Sequence, residues 1–202
     1  MSDTKIKICG LFRLCDAEYV NCAMPDYAGF VFYPQSRRNI SLKLALELRK
    51  ALHPAIATVG VFVNASYTEI VELCCQNIIN VVQLHGSESN EFISGLRCIL
   101  PENKIWKAYR IRSAKDLEVA KTSAADMVLL DNGHGSGKRF DWSLIMDFCR
   151  PFILAGGLTP ENIPDAIKQF NPYALDISSG VESDGVKDKT KIYAAVAAAR
   201  RG

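Results

Sequence analysis

The sequence predicts an α/β fold: a (βα)8 TIM barrel forming a single domain over residues 1–202. Three observations predict it. Eight short apolar runs alternate with segments of helical periodicity, which implies parallel strands joined by crossovers. The turn after the first run, Cys9-Gly10-Leu11-Phe12, lacks the glycines with which an open dinucleotide-binding sheet holds a pyrophosphate. Gly-rich turns follow the seventh and eighth runs instead, Ala155-Gly156-Gly157-Leu158 and Ser178-Ser179-Gly180, where barrels of this class hold a phosphate.

The first strand, Lys5–Cys9, alternates lysine and isoleucine and delivers a cysteine to its C-terminal end. Side chains alternate along a strand, so Ile6 and Ile8 are expected to face the helices and Lys7 and Cys9 the barrel interior. The remaining strands are read at Tyr27–Phe32, Thr58–Val63, Val81–His85, Lys104–Ile111, Met127–Asp131, Phe152–Gly157 and Ala174–Gly180. Between them, Leu42 and Leu46 mark one amphipathic helix, and Ile70, Leu73 and Cys74 the next. Helix starts are signalled by Ser41, by Ser66 with Glu69 three residues on, and by Thr159-Pro160-Glu161 with proline in the first turn. No linker, composition shift or repeat divides the chain.

Composition narrows the function. With 24 basic and 22 acidic residues, no overall field draws the chain to nucleic acid or to a membrane surface. Seven cysteines without a CxxC pair fit a reduced compartment. No apolar run of about 18 residues is long enough for a membrane span. A cytoplasmic location is expected, and the oligomeric state is left undetermined.

Almost every unusual polar residue falls at the C-terminal end of a predicted strand, the catalytic rim of a barrel. Cys9 ends the first; Arg37 and Arg38 follow the second; Asn64 follows the third; Gln83 and His85 close the fourth; Asp131 ends the sixth. Each has a plainer reading. A free cysteine is often a small buried apolar residue. His85 can cap a strand, Arg37 and Arg38 can be a solvated pair, and Asp131 can belong to an Asp-Asn-Gly turn. The loop Gly133–Lys138 lacks the spacing of a phosphate-binding loop and reads as a flexible lid. His53, Cys15, Cys22, Cys98 and Cys149 are read as structural.

A set of motifs spread over nearly the whole chain carries a family resemblance. They are Lys7-Ile-Cys-Gly10, Gly29-Phe-Val-Phe-Tyr-Pro-Gln-Ser-Arg-Arg38, Gly60-Val-Phe-Val-Asn64, Gln83-Leu-His-Gly86, Leu130-Asp131, Gly135-Ser-Gly-Lys-Arg-Phe-Asp-Trp142, Leu154-Ala-Gly-Gly-Leu-Thr-Pro-Glu-Asn162 and Asp176-Ile-Ser-Ser-Gly-Val-Glu182. Together they resemble the phosphoribosylanthranilate isomerase family of tryptophan biosynthesis. The resemblance implies a barrel enzyme without cofactor or metal, acting on a small phosphorylated aminosugar by an Amadori rearrangement. It makes Cys9 the general base, Asp131 the general acid and Arg38 the partner of the substrate carboxylate. It places the phosphate at Gly156, Gly157, Ser178, Ser179 and Gly180, with Gln83 and His85 elsewhere in the substrate site. Two departures stand out: the first helix lacks the usual acidic start, reading Leu11-Phe-Arg-Leu-Cys15, and His134 lies in the sixth loop.

The residues suit that chemistry. Opening the furanose ring needs a proton on its oxygen, and moving the carbonyl needs one removed from C2, so one acid and one base suffice. The acid must hold a proton near neutral pH and the base must be thiolate. Lys7 and Asp176 are expected to share the interior as a buried pair, placing positive potential beneath Cys9 that favours its thiolate. A barrel that only binds a phosphorylated ligand would keep the glycine turns and tolerate loss of Cys9 or Asp131. The related sugar isomerase of histidine biosynthesis is the nearer alternative; the resemblance puts carboxylates in both catalytic roles there, and cysteine at position 9 argues against it.

Overall fold

The computed structural model describes residues 4–131, 142–146 and 148–201. Eight parallel strands close on themselves in sequence order: β1 Lys5–Cys9, β2 Tyr27–Phe32, β3 Ala57–Phe62, β4 Val81–Leu84, β5 Lys104–Arg110, β6 Met127–Asp131, β7 Phe152–Ala155 and β8 Ala174–Ile177. Helices α1 Leu14–Ala23, α2 Leu42–Ala51, α3 Tyr67–Cys75, α4 Asn90–Ile99, α5 Ala114–Lys121, α6 Ile163–Phe170 and α7 Lys189–Arg201 form the outer layer. After β6 the described residues hold a 3₁₀ turn, Trp142–Ile145. A small antiparallel pair, β9 Glu182–Ser183 with β10 Val186–Lys187, follows β8.

The period-two alternation of the strands divides the core in two. Ile6, Ile8, Phe30, Val82, Leu84, Leu130 and Leu175 point outward into one apolar layer beneath the helices. Val59, Val81, Trp106, Ala108, Leu129, Ile153, Ala155 and Ala174 fill the barrel interior. Lys7 and Cys9 take the inward positions, as expected from their offset to Ile6 and Ile8. Strand β1 joins β8 with Lys7 opposite Asp176, and this seam closes the barrel.

Local signals explain most boundaries. Ser41 caps α2 by accepting from the Leu44 amide, and Ser66 and Glu69 form a reciprocal capping box on α3. The helix expected from Thr159-Pro160-Glu161 begins later, at Ile163, with Pro164 in its first turn. Asn162 intervenes by accepting from the Thr159 amide and donating to the Gly157 carbonyl, which folds that segment as a turn. The first helix does have an acidic start. Asp16 lies in its first turn, fully buried, and accepts from the Phe12 and Arg13 amides while pairing with the Arg13 guanidinium. Strands β7 and β8 stop short of the expected Gly157 and Gly180, because Gly156 and Gly157 adopt positive φ (88° and 66°) and Ser179–Val181 forms a 3₁₀ turn. The loop expected at Gly133–Lys138, with His134, lies outside the described residues.

Candidate active site

A cleft of about 240 Å3 opens where the strands end. Cys9 enters from β1, Gln83 from β4 with His85 just beyond it, and Asp131 from β6. Gly156 and Gly157 enter after β7, and Ser178, Ser179 and Gly180 after β8. Each strand residue among them occupies the inward position of its strand. Val31, Val61 and Val63 supply an apolar wall.

Beneath Cys9, Lys7 is wholly buried and its Nζ lies 2.8 Å from Asp176 Oδ2, the pair expected across the seam. Burial opposes the ammonium, but Asp176 and Cys9 outweigh it, so the Lys7 pKa is raised. The Cys9 thiol is raised as well. Burial is the largest influence on it, and the neighbouring Asp176 adds to this; Lys7 and Lys187 pull the other way without prevailing. The expected positive potential beneath Cys9 therefore exists but does not make its thiolate the favoured form. Gly29, the register partner of Cys9, leaves the space both side chains use: a Cβ there would fall 2.8 Å from Cys9 Sγ and 3.1 Å from Lys7 Cε.

Across the cleft, His85 Nε2 lies 3.4 Å from Asp131 Oδ2, and the other ring nitrogen, Nδ1, is 3.3 Å from Gln83 Nε2. The remaining amide oxygen of Gln83 is buried without a hydrogen-bond partner among the described residues. The His85 backbone amide still bonds to Phe62 O at 2.7 Å, which fixes where the ring leaves the sheet.

The glycine turns after β7 and β8 line one concavity of the cleft. The N–H groups of Gly157, Ser179 and Gly180 have no acceptor among the described residues. Gly180 is packed so closely that a Cβ would lie 1.8 Å from the Leu158 carbonyl oxygen. A short 3₁₀ turn, Ser179–Val181, begins within this segment. Ser178 Oγ donates to the Cys9 carbonyl at 3.1 Å, joining this concavity to the thiol strand.

Arg38 stands at the edge and does not line the cleft. Its Nε and Nη2 bind the two oxygens of Glu182 at 2.7 and 2.8 Å, while its stem packs over Gly10. Arg37 Nη2 reaches the same carboxylate at 2.5 Å, and buried Lys187 at 2.7 Å. Burial pushes the Glu182 carboxyl up, but the bonds from Arg38 and Lys187 outweigh it and hold it down at about 2. Lys187 also donates to the Ser178 carbonyl at 2.9 Å.

Sequence reasoning assigned no role to Glu182 or Lys187, nor to the buried pair Lys107–Glu88 (3.2 Å) behind the loop after β4. Glu88 accepts from the Asn64 and Gly86 amides and so ties the β3 and β4 loops together. The signal for Lys107 was legible. A lysine inside the apolar run Ile105-Trp106-Lys107-Ala108 needs a buried partner, as Lys7 does.

Comparison with known proteins places the chain in a family. The family model for N-(5'-phosphoribosyl)anthranilate isomerase matches residues 6–198. The chain belongs to the phosphoribosylanthranilate isomerase family. The isomerase of Endomicrobium trichonymphae is 46% identical over 197 residues, covering 95% of this chain and 96% of that one. The structure of the phosphoribosylanthranilate isomerase from Thermotoga maritima superposes with a TM-score of 0.86 at 39% identity, covering 98% of this chain and all of that one. A family structure in complex with reduced 1-(o-carboxyphenylamino)-1-deoxyribulose 5-phosphate superposes at 0.83 with 36% identity, covering 98% of this chain and 100% of that one. The protein is thus an isomerase of tryptophan biosynthesis, acting on phosphoribosylanthranilate. No described helix is long and apolar enough to cross a membrane.

Proposed function

We propose that this enzyme carries out the Amadori rearrangement of N-(5'-phosphoribosyl)anthranilate with Asp131 as general acid and Cys9 as general base. Asp131 gives its proton to the furanose oxygen as the anthranilate nitrogen's lone pair breaks the C1–O bond, leaving an iminium. The Cys9 thiolate then takes the proton from C2, and the C2–H electrons form the enolamine. Reprotonation at C1 and loss of the C2 hydroxyl proton give the aminoketose. Oxidation at C2 balances reduction at C1, so no external electron carrier enters.

One observation carries this reading: Cys9, Asp131 and the glycine–serine concavity line a single cleft. The phosphate is assigned to the amides of Gly157, Ser179 and Gly180 with the flanking Gly156 and Ser178, a site that needs no cationic side chain. Arg38 is assigned to the anthranilate carboxylate. Glu182 occupies its Nε and Nη2 and leaves Nη1 as the donor for that group. The family structure holding a reduced carboxyphenylamino-deoxyribulose phosphate supports an aminoketose phosphate as the ligand class.

The test is direct. Cys9→Ala and Asp131→Asn should each lower kcat by at least ~10², the low end of acid–base effects, while inorganic phosphate still binds. Near-wild-type turnover in either variant removes that residue from its role. Turnover of the histidine-pathway aminoaldose in place of this one would favour the related sugar isomerase.

A further inference from the structure

Beside Asp131, Gln83 and His85 line the cleft and take no part in the acid–base steps above. Gln83 is 1% exposed, sits on the inward face of β4 and lines the cleft. A buried carboxamide is costly unless its groups are bonded, yet Gln83 Oε1 has no partner among the described residues. Its Nε2 is the group that meets a neighbour, His85 Nδ1 at 3.3 Å. An amide nitrogen only donates, so the ring nitrogen facing it must be the acceptor. A neutral imidazole with an accepting Nδ1 carries its proton on Nε2, and His85 Nε2 lies 3.4 Å from Asp131 Oδ2.

We propose that Gln83 is a positioning residue that locks His85 in the Nε2–H tautomer, so that the ring donates to the carboxylate Asp131 becomes when it gives up its proton. The inference rests on Asp131 being the general acid. The donor lies beside the carboxyl where negative charge develops, and its strength there exceeds its strength toward the neutral acid. Asp131 is thereby made a stronger acid at the moment of ring opening. At 3.4 Å the two groups are within reach of each other, and catalytic contacts of this kind tighten in the reacting complex. In the opposite tautomer, Nε2 would present a lone pair to a new carboxylate and the two would repel. Two fixed features hold the geometry from behind: the His85 amide bonded to Phe62 O, and the Glu88–Lys107 pair that ties down Gly86.

Nitrogen-15 NMR of the histidine rings reads the tautomer in the wild-type enzyme without using activity. With His85 neutral, its Nε2 should show the protonated pattern and Nδ1 the unprotonated one. Gln83→Leu should spread His85 over both tautomers and lower kcat at least about tenfold, short of the ~10² lost with a whole preorganised donor, with KM changed less than about threefold. Gln83→Glu, whose carboxylate accepts from Nδ1–H, should reverse the tautomer and lower kcat further. A wild-type His85 protonated on Nδ1 overturns the proposal, and so does a Gln83→Leu enzyme with wild-type kcat. Full activity in Asp131→Asn would overturn the acid assignment instead, whatever tautomer the spectrum shows.

Discussion

Asp176→Ala removes one half of an ion pair sealed inside the barrel. Lys7 is fully buried and the Asp176 side chain 7% exposed, with 2.8 Å between the charges. The mutation strands an ammonium whose other polar neighbour is the Cys9 thiol, a weak acceptor. Breaking a buried pair on one side costs about 3–5 kcal/mol, against a total stability of roughly 5–15. For a chain of this length, each kcal/mol moves the melting temperature by about 2–4 °C, so a drop of roughly 6–20 °C is expected. Lys7 escapes part of that cost by losing its proton. In Asp176→Ala only burial and the thiol then act on its pKa, which falls. The stability deficit should therefore shrink as pH rises through that lowered value. Urea unfolding of wild type, Asp176→Ala, Lys7→Met and the double variant Lys7→Met/Asp176→Leu measures the coupling. The double variant has no stranded charge and should recover at least about 2 kcal/mol relative to the worse single variant. An Asp176→Ala protein within about 1 kcal/mol of wild type, or a double variant no better than the worse single, would refute this account of the pair.

Burial raises the Cys9 thiol, so kcat/KM should climb with pH through and beyond the ordinary thiol range; Lys7→Met should push that limb higher still, and a flat profile between about pH 7 and 9 would contradict the base assignment. Glu182 is held at about 2 against an ordinary 4.5, so it contributes stability that is fully present above about pH 4.5 and is lost as pH falls toward 2. At neutral pH Glu182→Gln should cost about 2–3 kcal/mol in chemical unfolding, and its stability should depend less on pH across that window. Gly180→Ala would drive a methyl into the Leu158 carbonyl; substrate KM should rise at least about tenfold, and an unchanged KM would dissociate this turn from phosphate binding.

The strands were legible because each is short and apolar, and because the parity of Lys7 and Cys9 against Ile6 and Ile8 assigns faces without any tertiary information. Capping residues such as Ser41 and Ser66 act over three residues, so they too can be read locally. The start of α6 was misplaced because Asn162 bonds both to the Thr159 amide ahead of it and to the Gly157 carbonyl, a choice that depends on the turn after β7. The start of α1 was misread because Asp16 acts from inside the first turn, two residues beyond Leu14. The rim residues could be named from their strand ends. Their pairings could not: Glu182 lies 144 positions from Arg38, and a contact over that span exists only once the barrel has closed. The same applies to the thiol. Sequence places cations near it, but whether burial or Lys7 prevails depends on how completely the interior is filled.

The bond from Ser178 Oγ to the Cys9 carbonyl joins residues 169 positions apart, across the seam where the last strand meets the first. On a ribosome, β1 with its thiol emerges before the other seven barrel strands, and its neighbour β8 after all of them. At about 5–20 residues per second, Cys9 waits roughly ten to thirty seconds for Ser178 to be made. Throughout that interval β1 has a bare edge, and Lys7 has no Asp176. A nascent chain halted anywhere before residue 176 can bury hydrophobic surface and form helices, but it has neither the neutralised interior nor the complete cleft. Activity is therefore gained in one late step, and premature termination yields no partly working enzyme.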